Sequence, residues 1–289
     1  MVVVTGPYTA AGTASGGIDD VIAVEVTIDG MLVIADKLGL MDFPTSLGIR
    51  PNIPQLDLRD IVWEQVRRDL SAQGVLDIYG NPHPEVAAMV DTLSRADRTI
   101  EGRWWRRDVG GKMLRFVVCR KGERHVVAAR DGEMLVVQRV APQVGLAGMV
   151  NAVLGSANPA NVEPLTASTS RLTDARTPDQ LTQFGISLSS ARTYSELIAN
   201  PDSWVELTAN ERHAGGTYSQ ADVAAGVLDS RLGRIVSLPR KVSGELYGSF
   251  LAGTDENLER ALQGLLEFLP SRSWFDTPPA GAAGDDYQD

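Results

Sequence analysis

Between Thr99 and Arg139 four runs with a period of two follow one another with almost no chain between them: TIEGRWWRR, KMLRFVVCR, RHVVAAR and EMLVVQR. Apolar and polar side chains that alternate at every second position describe a strand with one buried face. The separators DVGG, KGE and DG each supply a glycine for the positive φ of a tight hairpin turn. Strands joined by turns this short pair antiparallel, because a parallel crossover needs about a dozen residues or more. The meander commits the chain to an antiparallel sheet, and the rest of the sequence has to supply the helices that cover it.

It does so on both sides. Upstream, VIAVEVTID sets Ile22, Val24 and Val26 against Ala23, Glu25 and Thr27, a half-buried strand. The strand runs into a helix capped by Thr27 or Asp29, buried through Ile28, Leu32, Ala35 and Leu38, and stopped at Gly39. Pro44, Pro51 and Pro54 make MDFPTSLGIRPNIP a stiff extended connector. A helix with the stripe Leu58, Ile61, Val62, Val66 and Leu70 follows, then one with Pro84 in its first turn and Val86, Met89, Val90 and Leu93 buried. After the meander, Leu146, Met149, Val150 and Val153 suit a short helix, and SANPANVEPLTAS is a connector.

The second half repeats this order. Helical segments PDQLTQFGISL and SARTYSELIAN precede the strand-rich run from Ser203 to Arg240, and the amphipathic helix TDENLERALQGLLEFL closes it. Gly110-Gly111 is matched by Gly215-Gly216, 105 residues on, and Arg130-Asp131-Gly132 by Arg231-Leu232-Gly233, 101 residues on. The expected fold is therefore α/β (α+β): one central antiparallel β-sheet flanked by helical bundles, with pseudo-twofold duplicated halves. Residues 1–19 and 276–289 read as disordered tails. Residues 20–275 read as one domain whose halves span about 20–155 and 165–275.

The chain is poor in reactive chemistry. One cysteine, Cys119, and three histidines, His83, His125 and His213, rule out a disulfide framework and a thiolate zinc site, and their spacing matches no metal motif. No GxxxxGK or GxGxxG phosphate loop and no GxSxG elbow is present. His83 reads as a helix cap, and His125 and His213 as exposed sheet positions. No catalytic, cofactor or metal site is expected, and a histidine-based hydrolase is the weakest of the readings. Apolar runs of about five residues are too short to span a membrane, and the N-terminus lacks a signal peptide's basic start. The expected location is a reducing cytoplasm.

The formal charge of −10, from 27 Lys+Arg and 37 Asp+Glu in 289 residues, is unevenly placed. Residues 98–139 hold eleven basic residues against five acids, leaving −16 for the remainder. A basic meander beside Trp104 and Trp105 is the equipment of a sheet that binds RNA or single-stranded nucleic acid. The alternatives are solvated sheet charges with one tryptophan in the core, or a protein interface, where Trp and Arg are enriched. The acidic whole argues against nucleic acid.

The run TIDGMLVIADKLGLMDFPTSLGIRPN, the helix pair before TIEGRWWRR, the hairpins through ARDGEMLVV and the helix ENLERALQGLLEFL resemble, in that order over residues 20 to 270, the EspG family of mycobacterial type VII (ESX) secretion chaperones. The resemblance implies a non-enzymatic cytosolic chaperone. It implies binding to the apolar tip of the PPE subunit of a PE–PPE heterodimer in a 1:1:1 complex, keeping it soluble and directing it to the secretion machinery, with no nucleic acid, cofactor or membrane insertion and with room for weak self-association. It also implies contacts through the central sheet, the loop between the second and third strands, and the C-terminal helical region. Carried onto this chain, the candidate partner-binding residues are Arg103, Trp105, Arg106, Arg107, Asp108, Val109 and Gly110, together with Leu258, Leu262 and Leu265 on the terminal helix. Within the family, the likeness points to the branch serving the ESX system tied to iron uptake.

Overall fold

Strand β1 (Ala23–Thr27) runs without a break into helix α1 (Ile28–Leu38) because Thr27, still extended, accepts a hydrogen bond from the Gly30 N–H on its hydroxyl at 3.0 Å. Gly39, at φ 64°, ends the helix in the left-handed conformation that only glycine takes without strain. This computed structural model describes residues 22–51, 56–141, 143–175 and 177–275, so both expected tails lie outside the described residues. A 3-10 turn at Thr45–Leu47 precedes α2 (Leu56–Ala72) and α3 (Pro84–Ser94). The meander then forms β2 (Arg98–Arg106), β3 (Met113–Lys121), β4 (Arg124–Asp131) and β5 (Met134–Val140), and α4 (Leu146–Leu154) closes the first half.

Beyond it come β6 (Leu165–Ser168), α5 (Thr169–Asp174), α6 (Pro178–Thr182) and α7 (Leu188–Ala199). These lead into β7 (Ser203–Arg212), β8 (Tyr218–Gln220), β9 (Ala225–Ser230), β10 (Gly233–Val242), β11 (Glu245–Ala252) and α8 (Asp255–Leu266). All eleven strands join one sheet in the order β1-β5-β4-β3-β2-β7-β9-β10-β11-β6, with β8 on the flank of β7. Each strand pairing is antiparallel, and β2 lies against β7 with Gly102 opposite Leu207.

The two faces of the sheet are covered differently. On one, α4 and α8 pack over the middle, and Ile100, Trp104, Phe116, Leu207 and Val236 form one core with them. On the other, α1, α2 and α3 cover Val24, Val117, Val126 and Leu135, while α7 covers Leu165 and Ile235 in a separate cluster. Between these two clusters the Trp105 end of β2 and the Trp204 end of β7 are left open, while the 3-10 turn reaches the inner part of β2. Antiparallel sheets tolerate a face in water, so the gap is compatible with folding.

Four expectations need correction. The connector after α1 is not simply extended, because Leu47 is buried against the sheet and bends the chain into the 3-10 turn. The expected stripe of α2 is only half used. Leu58, Ile61 and Val62 are exposed, Ile61 at 69%, and Trp63 takes the buried place. The short strand β6, helix α5 and strand β11 carried too little periodicity to be read. Finally, Arg130-Asp131-Gly132 turns β4 into β5, the third hairpin from the sheet centre, whereas Arg231-Leu232-Gly233 turns β9 into β10, the second.

Gly102 shows how tightly β2 and β3 are built together: a Cβ there would stand 2.2 Å from the Phe116 ring. Replacement of Gly102 by Ala is expected to destabilise the protein by about 1–3 kcal/mol through overpacking, seen as a lower midpoint in urea unfolding. Phe116→Leu in the same chain should make the combined loss smaller than the sum of the two single losses.

Candidate functional site

The strip is a ladder of four cross-strand pairs on one face of the sheet, its outer two pairs open and its inner two covered at the side by neighbouring chain. From the hairpin end inward they are Trp105 and Trp204, Arg103 and Glu206, Glu101 and Thr208, and Thr99 and Asn210. Strand alternation puts these residues on one face and Ile100, Trp104, Val205 and Leu207 on the other, in the core. Trp204 is 37% exposed and Trp105 half-buried, a cross-strand aromatic pair open to solvent. On the next rung the Arg103 guanidinium lies 3.1 Å from the Glu206 carboxylate. Met113 on β3 continues the apolar end of the strip and Arg115 its charged rung. The hairpin beside it turns on Gly110 and Gly111, at φ 73° and 74°, and Gly111 leaves room for the indole of Trp105, whose Nε1 would be 3.3 Å from a Cβ.

Such a strip offers area, aromatic surface and one orienting ion pair. Residues 27–264 match the protein-family model described as the EspG family. The chain belongs to the EspG family. It is 71% identical over 279 residues to the ESX-1 secretion-associated protein EspG1 of Mycolicibacterium smegmatis, covering 96% of this chain and 99% of that one. It is 69% identical over 272 residues to the protein of the same description from Mycobacterium tuberculosis, covering 94% and 95%. The ESX-3 secretion-associated protein EspG3 of M. smegmatis is 28% identical over 268 residues, covering 89% and 90%. The solved structure of the M. tuberculosis type VII secretion system chaperone EspG5 in complex with the PE25–PPE41 dimer shares the fold, with a TM-score of 0.71 at 17% identity over 89% of this chain and 100% of that one. The expected placement in the iron-uptake branch is corrected by these identities, which side with the ESX-1 proteins.

In this EspG fold the candidate residues separate into three places. Arg103 and Trp105 stand on the open strip. Arg107, Asp108, Val109 and Gly110 form the adjoining hairpin, where the Arg107 N–H is held by the Asp202 carbonyl at 2.9 Å. Arg106 points to the opposite face, its guanidinium 4.7 Å above the Trp104 ring and paired with Asp108. The hydrogen bond from Arg106 holds the Asp108 carboxyl below the usual carboxylate range. Leu258, Leu262 and Leu265 are buried in the core beneath α8, so the surface available to a partner there is the polar face of that helix. Trp204, Glu206, Thr208 and Asn210 were not anticipated, because they reach the strip from the other half of the chain.

The basic surplus of the meander is largely engaged within the protein. Lys121 pairs with Asp91, Arg139 with Glu85 at 3.2 Å, and Arg130 donates to the Leu47 and Gly48 carbonyls at 2.6 and 2.9 Å. Arg98 donates to the Ser271 hydroxyl at 3.0 Å. His83 caps α3 through Nδ1, as expected, accepting from the Glu85 N–H at 3.3 Å. His213 Nε2 sits 2.7 Å from the Ser219 hydroxyl across its own hairpin, and among the described residues no carboxylate is hydrogen-bonded to its ring. His125 is not exposed as expected but buried beside Trp274, ring centroids 6.1 Å apart, and among the described residues neither ring nitrogen has a hydrogen-bond partner.

Burial, and then the charge of Arg120, hold the His125 imidazole below its ordinary pKa, against a weaker opposing pull from Glu123. Below about pH 6.5 the unfolded chain therefore takes up a proton that the folded chain refuses, and stability falls as pH drops from 7 toward the depressed folded value. His125→Phe is expected to flatten part of that fall in urea unfolding compared at pH 7 and 5.5. Truncating Leu262 to Ala should cost about 2–5 kcal/mol in the same assay at pH 7, the signature of a core position.

Proposed function

We propose that the open strip and its hairpin cap the apolar tip of the PPE subunit of a PE–PPE heterodimer in a 1:1:1 complex, as a cytoplasmic chaperone that keeps the pair soluble and delivers it to an ESX-1 type VII secretion apparatus. The observation that carries this reading is the open part of the sheet, where exposed Trp204 and half-buried Trp105 stand in register beside the Arg103–Glu206 pair. Capping an apolar tip removes its surface from water at about 25 cal/mol per Å2, and aromatic anchors supply much of such affinity. The names of the relatives near 70% identity and the PE25–PPE41 dimer held by the EspG5 neighbour support the assignment. The work is binding, and no residue here is assigned a chemical step.

The nucleic-acid reading loses much of its support because Arg98, Arg103, Arg106, Lys121, Arg130 and Arg139 are engaged by internal partners on several sides of the fold. We also read the architecture as a duplication. Each half runs strand, helices, meander and helix, and its first strand closes the outer edge of the sheet. The chain halves then correspond about the β2–β7 pair, with helical layers on either side of the strip.

Co-expression with PE–PPE pairs from the same genome is expected to give a ternary complex on size exclusion, and absence of co-elution with every pair would end the proposal. Trp204→Ala and Trp105→Ala should each weaken that complex by about 10- to 100-fold in calorimetric titration while leaving the unfolding midpoint within a few degrees of the parent.

A further inference from the structure

Past its exposed rungs the strip descends into a cleft of about 510 Å3 between the Asp42–Thr45 connector, the end of α3 and β8. Thr99, Glu101 and Asn210 form its floor, and Phe43, Pro44 and Tyr218 line its sides. Glu101 is only 9% exposed. One carboxylate oxygen accepts from the Ser46 N–H at 2.9 Å, and the other accepts from the Asn210 amide at 2.8 Å and the Thr99 hydroxyl at 3.4 Å. All three donors are neutral, and among the described residues no cation comes within ion-pair distance of Glu101. Asp42 adds a second acid to the lining, which among the described residues contains no Lys, Arg or His.

Two of the cations nearby are engaged elsewhere. Arg103, one rung along, is held by Glu206. Arg212, at the rim, donates to the Ser94 carbonyl at 3.5 Å and stacks over Tyr218 at 5.7 Å. A buried carboxylate without a counter-charge is costly, and a cation brought to it recovers part of that cost. An apolar wall ending in a carboxylate has the chemistry that receives a methylene stem and a charged head group together.

We infer that this cleft is a socket for a basic side chain, arginine or lysine, presented by the bound protein partner. The socket lies on the same sheet face as the tryptophan pair, two rungs from it, so one partner segment spans both. The inference rests on the capping role proposed for the strip, and it adds a charge requirement to that apolar contact. The socket selects among partners by a residue placed about 14 Å along the sheet from the one the tryptophans grip, counting four residues of strand.

Two measurements test it. In amide NMR, N-acetyl-arginine methylamide titrated into the unmodified chain is expected to shift the Ser46, Thr99 and Asn210 amides saturably, with a dissociation constant of about 1–10 mM. N-acetyl-citrulline methylamide, its neutral counterpart, should leave them in place. Equal shifts with both probes, or none with either, overturn the socket without reference to any partner and without a variant that has to fold. In the second measurement Glu101→Gln should weaken a PE–PPE complex about tenfold relative to the parent chain, with a shallower dependence on salt. A parent chain that binds while Glu101→Gln binds equally well refutes the socket. A parent chain that binds no heterodimer refutes the capping role, and the arginine probe still decides the socket.

Discussion

The antiparallel pairing of β2 with β7 is the contact on which the rest of the molecule depends. It is the one seam where the two halves of the chain exchange backbone hydrogen bonds over a full strand length, from Arg98 opposite Glu211 to Arg106 opposite Ser203. Its register decides which side chains face α4 and α8 and which face the open strip, and a slip by one residue would exchange the two sets. Leu207 would leave the core and Trp204 would enter it. On the other side of β2, the close fit of Gly102 under Phe116 helps to hold the register with β3, since only a residue without a Cβ lets the ring lie across the strand.

A second lock fastens α4 to strands β9 and β10. Arg234, buried at the β9–β10 turn, donates to both oxygens of Asp229 at 2.6 and 2.9 Å, and reaches the Asn151 side chain and the Gly155 carbonyl at the end of α4. A buried guanidinium whose three nitrogens all donate contributes geometry more than net stability. Here it ties the helix that ends the first half to strands of the second. The covered face is thus braced from both halves, and the opposite face can stay open without loosening the sheet.

The meander was legible in the sequence because its strand-length apolar runs are set apart by turns that each carry a glycine, although β3 and β4 are buried on both faces rather than one. Helices α1, α3 and α8 were legible because their caps and stripes agree. The 3-10 turn, β6 and β11 were not, since Leu47 and the four residues of β6 are placed by tertiary contacts that no local period records. For α2 the apolar spacing was real but the pattern does not say which part of a stripe finds a neighbour. The missed half of the site had left a trace. An offset of 105 between the glycine turns carries Gly102 onto Leu207, and an antiparallel pair centred there sets Trp105 against Trp204. Two tryptophans separated by about a hundred residues do not read as neighbours until that centre is located.

The distribution of the five tryptophans gives the molecule an optical property. Trp63, Trp104 and Trp274 are buried, so their emission belongs to the folded interior, while Trp105 and Trp204 meet solvent together on the strip. Two indoles at one exposed place, against three in dry surroundings, divide the intrinsic fluorescence into a component that reports the fold and one that reports what lies on the sheet. Water contact at that single place sets the red edge of the spectrum, so the chain carries its own unlabelled sensor of occupancy.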